Sequence, residues 1–236
     1  MKLTTWNCNM AFRKKAAIIL TTKPDILIVP ECEHPDKLIF TKETPKATSQ
    51  VWFGENKNKG LGVFSYSNYT IEILNIHNPE FKYILPLSVY NDTITFIIFA
   101  IWAQKPQKND CYTEQIWNAV HFYKDLLISD NVILAGDFNS NSIWDKPNRI
   151  CNHTNLVNFL NSKNIHSSYH NFNNQEHGKE SAPTLYMHRK IDKPYHIDFC
   201  FASQNLMHRI SDVDIGTHDS WAHYSDHQPL TVTFEI

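Results

Sequence analysis

Residues 132–141 have the sequence VILAGDFNSN, and this stretch decides how the rest of the chain is interpreted. Its first four residues are typical of a buried strand, yet the carboxylate of Asp137 and the amide of Asn139 follow within four positions. Desolvating such groups costs free energy unless they find a partner. One interpretation is an ordinary polar turn, because Gly, Asp, Asn and Ser are common turn residues. The other is a site built at the carboxyl end of a strand.

The composition indicates a globular chain. Of 236 residues, 42% are hydrophobic and 19% are charged, which is enough material for a large core. No run approaches the roughly 18 apolar residues of a membrane span, and the first ten residues, MKLTTWNCNM, lack the apolar core of a signal peptide. The chain has no repeat and no Pro/Gly/Ser-rich linker. We therefore expect a single domain over residues 1–236, without membrane association and with no sign of an obligate protein partner.

The cysteine pattern and the net charge limit the location and the kind of nucleic-acid binding that we expect. The five cysteines are far apart and form no CxxC pair, so they match neither a zinc spacing nor a disulfide framework, and we expect a reducing, cytoplasmic location. The net charge is −2, whereas a tight nonspecific DNA binder usually carries an excess of basic residues. It counts little against an enzyme that contacts only a few phosphates.

Strand-like runs outnumber helical ones along the chain. They cover residues 3–7, 25–30, 50–53, 62–66, 70–76, 83–90, 93–102, 131–135, 196–202 and 230–235. Helical periodicity is found at residues 12–22, 113–129 and 155–162. Short polar links between residues 62 and 102 favour antiparallel neighbours. The pattern predicts two sheets packed face to face, with helices outside.

Polar side chains recur where the apolar runs end or begin. They are Asn7 and Asn9 after LTTW, Glu31 after DILIVP, Asp137 and Asn139 after VILAG, Asp198 inside HIDFCF, and Asp226 and His227 before QPLTVTF. Each alone is typical of a cap or turn. Together they favour an oxygen-rich site of the kind that Mg²⁺ prefers, because the close His and Cys spacing of a zinc site is missing.

Six motifs in order, TWNCN, PE at residues 30–31, GLGVFS, GDFN, HIDF and SDHQPL, resemble the endonuclease/exonuclease/phosphatase superfamily, which includes exonuclease III-like and DNase I-like enzymes. The resemblance runs from residue 4 to about residue 230. It implies an α/β fold, a four-layer α/β/β/α sandwich of two mainly antiparallel sheets with outer helices. It also implies a phosphoester hydrolase that depends on Mg²⁺, with Mn²⁺ as an alternative ion.

The same resemblance implies roles for individual residues. Glu31 would be the main metal carboxylate, with Asn7 beside it and Asp226 sharing the ion. The residues implied to act on the scissile phosphate are Asp137 (orienting or deprotonating the attacking water), Asn139 (holding the phosphate or that water), His227 (contacting the phosphoryl oxygens) and Asp198 (the carboxylate partner of His227). A metal and a protonated histidine would stabilise the negative charge of in-line attack.

Five further residues are candidate substrate contacts: Asn9, Trp102, His170, Arg189 and Trp221. Trp102 stands where the AP-endonuclease branch usually presents a tyrosine. An indole cannot donate a phenolic proton, so this difference weakens that particular interpretation. Trp221 is either a stacking wall of the pocket or a core residue. His170 and Arg189 are either phosphate contacts or ordinary polar residues of the surface.

Three functions remain open at this point. The first is a metal-dependent nuclease, endonuclease or exonuclease, that binds and cleaves DNA or RNA. The second is a phosphatase or phosphodiesterase acting on a small or lipid-derived phosphate ester, such as an inositol phosphate. The third is a catalytically inactive binding module, which is disfavoured because each implied catalytic position holds a competent residue.

Overall fold

Two six-stranded sheets and their outer helices account for most of residues 1–42, 44–105 and 111–236, which this computed structural model describes. The strands are β1 (Lys2–Thr5), β2 (Ile26–Cys32), β3 (Ser49–Asn56), β4 (Lys59–Ser65), β5 (Thr70–Ile73), β6 (Ile84–Tyr90), β7 (Thr95–Trp102), β8 (Val132–Asp137), β9 (Ile165–Ser167), β10 (Leu185–Tyr186), β11 (Pro194–Tyr195), β12 (Asp198–Ser203), β13 (Ile210–Ile215) and β14 (Leu230–Phe234). The α-helices are α1 (Ala16–Ile19), α2 (Tyr112–Phe122), α3 (His153–Asn161), α4 (Ser168–Asn173), α5 (Gln204–Met207) and α6 (His218–Trp221).

The strand order is β13-β14-β1-β2-β4-β3 in the first sheet and β5-β6-β7-β8-β12-β9 in the second, while β10 and β11 form a separate pair. Neighbours are antiparallel except β1 with β2 and β7 with β8. The parallel pairs lie at the middle of their sheets, where a strand is covered on both faces. The strands that carry the candidate site therefore lie at the centre of each sheet.

Strand β8 shows how the layers are held together. Ile133 and Ala135 face the other sheet and join the central core, whereas Val132 and Leu134 face outward and pack under α2 and α3. This alternation follows from the two-residue period of a strand. A third apolar cluster, around Trp6, Phe12 and Trp221, covers the outer face of the first sheet. The predicted four-layer α/β/β/α sandwich of two mainly antiparallel sheets is thus confirmed.

Two predicted helices are broken up. Residues 12–22 form a 3-10 turn (Phe12–Lys14), the short α1 and a second 3-10 turn (Leu20–Thr22), because the backbone of Lys15 leaves the helical range with φ −120. The helix predicted over residues 113–129 ends at Phe122 and is followed by a 3-10 turn (Leu126–Ile128). The edge strand β13, with sequence ISDVDI, was not predicted because it alternates too weakly to stand out.

Among the described residues, no helix combines the length and apolar character that crossing a bilayer would require.

Candidate active site

Strand ends from both sheets meet at one edge of the sandwich. In the second sheet, Asp137 at the end of β8 lies opposite Asp198, the first residue of β12, and beside Trp102, the last residue of β7. From the first sheet come Glu31 in β2 and His227, which lies just before β14. The polar residues that seemed scattered along the sequence therefore converge because the strands that carry them are adjacent.

The buried ion-pair network of Asp137, Asp198 and His227 forms the centre of the site. His227 Nδ1 donates to Asp198 Oδ2 over 2.9 Å, and His227 Nε2 lies 4.0 Å from Asp137 Oδ2. All three residues are less than a tenth exposed. The backbone of His227 is fixed as well, because its N–H donates to Ser225 Oγ and its carbonyl accepts from Trp6 Nε1. The imidazole is thus held between two carboxylates.

Charge and burial act in opposite directions on these groups. Burial alone would lower the pKa of His227, but the Asp198 and Asp137 carboxylates raise it to about 10. Burial also raises the pKa of Asp137 to about 7, although the positive charge of His227 opposes that shift. At neutral pH the site therefore combines an imidazolium with a carboxylate that can accept a proton.

Hydrogen bonds aim the Asp137 carboxylate. Its Oδ1 accepts from the backbone N–H of Asn139 over 2.9 Å, and its Oδ2 accepts from Asn139 Nδ2 (3.0 Å) and Asn7 Nδ2 (2.9 Å). The glycine in GDFN is required because Gly136 has φ +147, and a Cβ there would lie 1.8 Å from the carbonyl oxygen of Ile101. The GDFN stretch is therefore a strand end shaped to present a carboxylate.

A β-bulge aims Glu31 into the site. The pairing of β2 with β4 shifts between Pro30 and Cys32, and Glu31 takes a left-handed backbone with φ 62. Such bulges redirect a side chain out of the regular alternation. Glu31 Oε1 lies 3.5 Å from Asn7 Nδ2 and 3.2 Å from the ammonium of Lys59. Lys59 in turn lies 4.9 Å above the ring of Trp102, and the sequence did not indicate its role.

The segment after β1 closes the site on the side of Asp226. Asn9 Nδ2 donates to Asp226 Oδ1 over 2.7 Å, and the backbone N–H of Asn9 donates to Asn7 Oδ1 over 3.0 Å. Asn9, Met10 and Ala11 all have positive φ, between 49 and 64. Three successive non-glycine residues in this region carry backbone strain, which is typical of functional sites.

The donor set suits a hard divalent cation. The candidate ligands Glu31 and Asp226 offer carboxylate oxygens, which such a cation prefers. In addition, Asp198 Oδ1 is buried without a hydrogen-bond partner among the described residues. Asn7 turns its Nδ2 toward Asp137 and Glu31, so in this arrangement it supplies hydrogen bonds and not an oxygen ligand. Asp137, Asp198 and His227 form a second group whose ligand atoms lie close enough together to hold an ion.

The other predicted substrate contacts are distributed differently. Trp102 lies within the site under Lys59, although it is only 5% exposed. Trp221 packs edge-on against Trp6 at 5.3 Å, which fits the core alternative. Arg189 lies on the surface and donates to the carbonyl of His223. His170 is buried and belongs to a separate cluster.

That cluster is a histidine network, which we define as His153, His170, His177, His196 and Glu180. His153 bridges Ser140 Oγ and His177 Nδ1, each over 3.0 Å, and the rings of His170 and His177 stack at 3.5 Å. His170 Nε2 contacts Glu180 Oε1 at 3.0 Å. The network packs on the loop that follows Asp137 and was missed because its members come from separate segments.

Burial dominates the titration of the network. It lowers the pKa of His153 and of His196 to about 4 each and that of His177 to about 2. For Glu180, burial opposes ionisation, but hydrogen bonds from His170 and from backbone amides lower its pKa to about 2. At neutral pH, His153, His177 and His196 are therefore neutral beside the ionised Glu180.

A cavity of about 610 Å³ opens beside Asn139. Its lining includes the cations Lys105, Lys146 and Arg149 together with amides and Trp144. Trp144 is 45% exposed and packs on Tyr195 at a ring distance of 5.1 Å. The site therefore has an adjoining recess whose lining offers positive charge and an aromatic face.

This chain is similar to known proteins in sequence family and in fold. A family model described as the Endonuclease/Exonuclease/phosphatase family matches residues 4–227. A search of curated proteins found no match. Similar solved structures include the 3′ phosphatase NExo from Neisseria bound to a product DNA hairpin, at 18% identity, a TM-score of 0.69 and 100% coverage of both chains.

Two further similar structures come from other organisms. An AP endonuclease from Archaeoglobus fulgidus is 16% identical, with a TM-score of 0.70 and 100% coverage of both chains. The endonuclease domain of TRAS1, a telomere-specific non-LTR retrotransposon, is 15% identical, with a TM-score of 0.63 and coverage of 100% of this chain and 98% of that one. At these identities the likeness shows the fold.

Proposed function

Because the chain belongs to the endonuclease/exonuclease/phosphatase family, whose members hydrolyse phosphoric esters, we propose that it is a divalent-metal-dependent phosphodiesterase that cleaves nucleic acid. The observation that carries this proposal is the placement of the buried His227 imidazole between Asp198 and Asp137, whose carboxylates raise its pKa to about 10. A charged imidazole aimed into a pocket suits the negative charge that develops on phosphoryl oxygens.

Each residue of the centre has a role in this proposal. His227 donates hydrogen bonds to the phosphoryl oxygens, while Asp198 fixes its orientation and keeps it charged. Asp137 accepts a proton from the attacking water, for which a pKa of about 7 is suitable. Asn139 and Asn7 hold the Asp137 carboxylate, and Asn139 also lies at the mouth of the cavity.

The metal in this proposal is Mg²⁺, with Mn²⁺ as an alternative. Glu31 would hold it, with Asp226 nearby and with Asn7 contributing after its amide turns over. When bound, the ion supplies Lewis-acid stabilisation of the transition state. The ammonium of Lys59 contacts Glu31 and offsets part of its negative charge.

Nucleic acid is favoured as substrate by the recess beside Asn139. Lys105, Lys146 and Arg149 provide sites for the phosphates that flank the scissile bond, and Trp144 provides a face on which a base can stack. The DNA bound to the NExo structure is consistent with this proposal. Asn9, next to Asp226, is a further candidate contact.

A turnover panel tests the proposal. Supercoiled, linear, single-stranded and abasic DNA, RNA and several phosphomonoesters are incubated with the enzyme in Mg²⁺ or EDTA. We expect strand cleavage that needs the metal and is lost in His227→Gln but kept in His208→Gln, an exposed histidine outside the site. Phosphate release without strand cleavage would instead assign a small phosphoester, and inactivity on every substrate would contradict hydrolysis.

A further inference from the structure

Cys111 and Cys151 lie in contact although they are 40 residues apart. Their Sγ atoms are 3.8 Å apart, and Cys111 Sγ is 3.3 Å from the carbonyl oxygen of Cys151. Both are partly exposed, whereas Cys8, Cys32 and Cys200 are at most 1% exposed. This pair therefore combines accessibility to solvent with a second thiol in contact.

We propose that Cys111 and Cys151 are a site of oxidative modification and form a reversible intramolecular disulfide. A disulfide needs an S–S distance of about 2.05 Å. The two sulfur atoms must therefore close roughly half of their present separation of 3.8 Å. Both cysteines lie at the ends of connecting segments. Cys111 directly precedes α2, and Cys151 precedes Asn152, whose side chain caps α3. The bond would thus join two helix starts.

The chemistry balances with a peroxide as oxidant. The Cys111 thiol reacts with hydrogen peroxide to give a sulfenic acid and one water. Cys151 then attacks the Cys111 sulfur, which forms the S–S bond and releases the second water. Two electrons pass from the two sulfurs to the peroxide, and both thiol protons end in water. A dithiol reductant reverses the reaction by exchange.

A carboxylate beside both thiols can assist the second step. Burial, and then the hydrogen bond and charge of Cys111, raise the pKa of Cys151 to about 11, so its attack needs a proton acceptor. The carboxylate of Glu114 lies within 4.8 Å of both sulfurs. Glu114 can take the proton from the Cys151 thiol and pass it to the hydroxyl that leaves Cys111 as water.

The disulfide would close a loop of the chain that carries part of the candidate active site. The loop between the two cysteines contains β8 with Asp137 and Asn139, and both cysteines line the cavity beside Asn139. Closing a loop of this length restricts the unfolded chain. We expect the melting temperature to rise by roughly 5–10 °C on oxidation.

Mass spectrometry of the full chain tests the proposal. The protein is treated with hydrogen peroxide or with a glutathione redox buffer in the presence of a chelator, then digested without reduction. We expect a cross-linked peptide pair containing Cys111 and Cys151, a fall from five free thiols to three, and full reversal by dithiothreitol.

Two cysteine variants distinguish loss of the disulfide from loss of the fold. Cys111→Ser and Cys151→Ser should each lack the cross-link, and neither should show the oxidant-dependent rise in melting temperature. A cross-link to a different cysteine, dimers joined between chains, or the same thermal shift in Cys111→Ser would overturn the proposal. So would the recovery of sulfinic or sulfonic acid at Cys111 without any disulfide.

Discussion

The end of β8 and the loop that follows it contact buried histidines whose pKa values are shifted in opposite directions. On one side, His227 lies between Asp198 and Asp137, and its pKa is raised to about 10. On the other side, His153 contacts Ser140 within the histidine network, and its pKa is lowered to about 4. Both imidazoles are more than nine-tenths buried, so burial alone does not explain the difference.

The partners of the ring nitrogens explain it. The His227 ring lies 2.9 Å from Asp198 Oδ2 and 4.0 Å from Asp137 Oδ2. The ring nitrogens of His153 instead contact Ser140 Oγ and His177 Nδ1, and the carboxylates of Asp145 and Glu180 offset its burial only in part. An imidazole in a low-dielectric region keeps its proton only when nearby negative charge offsets its desolvation. The site around His227 is therefore suited to binding negatively charged groups, whereas the histidine network is suited to stabilising the fold.

Substitution of one histidine from each group gives the largest expected contrast. His227→Gln removes the cation from the centre and should lower kcat for phosphoester hydrolysis by about 10³-fold. His153→Gln removes a neutral imidazole and should keep kcat within roughly tenfold. Steady-state kinetics on the preferred substrate, with melting curves to confirm folding, measures both. Equal losses in the two variants would remove the distinction.

Asp198→Asn separates the position of His227 from its charge. The amide can still contact Nδ1 but no longer stabilises the imidazolium, so kcat should fall by roughly 10²-fold. The pH profile should also shift, because the pKa of His227 falls when Asp198 is neutral. Rate measurements from pH 5 to 9 record both effects. An unchanged rate and profile would show that Asp198 does not act through His227.

Lowering the pH should reduce the free energy of unfolding through the histidine network. The folded pKa of His153 is below its unfolded value of about 6.5, so the unfolded chain binds the proton more strongly and stability falls as pH drops from about 6.5 to 4. His153→Gln should therefore lose about 2 kcal/mol less than wild type between pH 7 and 4.5. Urea unfolding at both pH values measures this. Identical losses of stability in wild type and His153→Gln would show that other groups cause the acid sensitivity.

Glu180→Gln should have the smallest effect of the series. Its carboxylate accepts from Asn141 Nδ2, His170 Nε2 and the backbone N–H of Gly178, and a neutral amide keeps the shape but weakens these bonds. We expect a loss on the order of 1–2 kcal/mol, with kcat changed by less than about threefold. Calorimetry and kinetics check this. A large loss of activity at unchanged stability would make Glu180 part of the site.

Sequence reasoning predicted the layers and the convergence of polar strand ends. Asp137, Asp198 and His227 were predicted to act together, and the structure brings them together because register aligns β8 with β12. The burial of β8 was predicted from its unbroken apolar run, but the assignment of its residues to the two faces came from the structure. These features depend on local pattern and on the order of strands.

Other features depend on long-range contacts or on backbone shape. Glu31 reaches the site through a bulge with positive φ, and no glycine marks that position. Lys59 enters from β4 only once β4 pairs with β2. His170 was a candidate substrate contact, but its burial with Glu180 became visible only in three dimensions. Such features leave no periodic signal in one sequence.

The protonation of His227 is the central claim, and NMR of the imidazole ring nitrogens tests it most directly. Long-range proton–nitrogen spectra of the metal-free, full-length protein are recorded from pH 5 to 9, with His227→Gln used for assignment. We predict that His227 keeps both ring protons through pH 9, while His153 and His196 stay neutral down to about pH 5. A His227 that is neutral at pH 7, or that titrates with the exposed histidines near pH 6.5, would contradict the account.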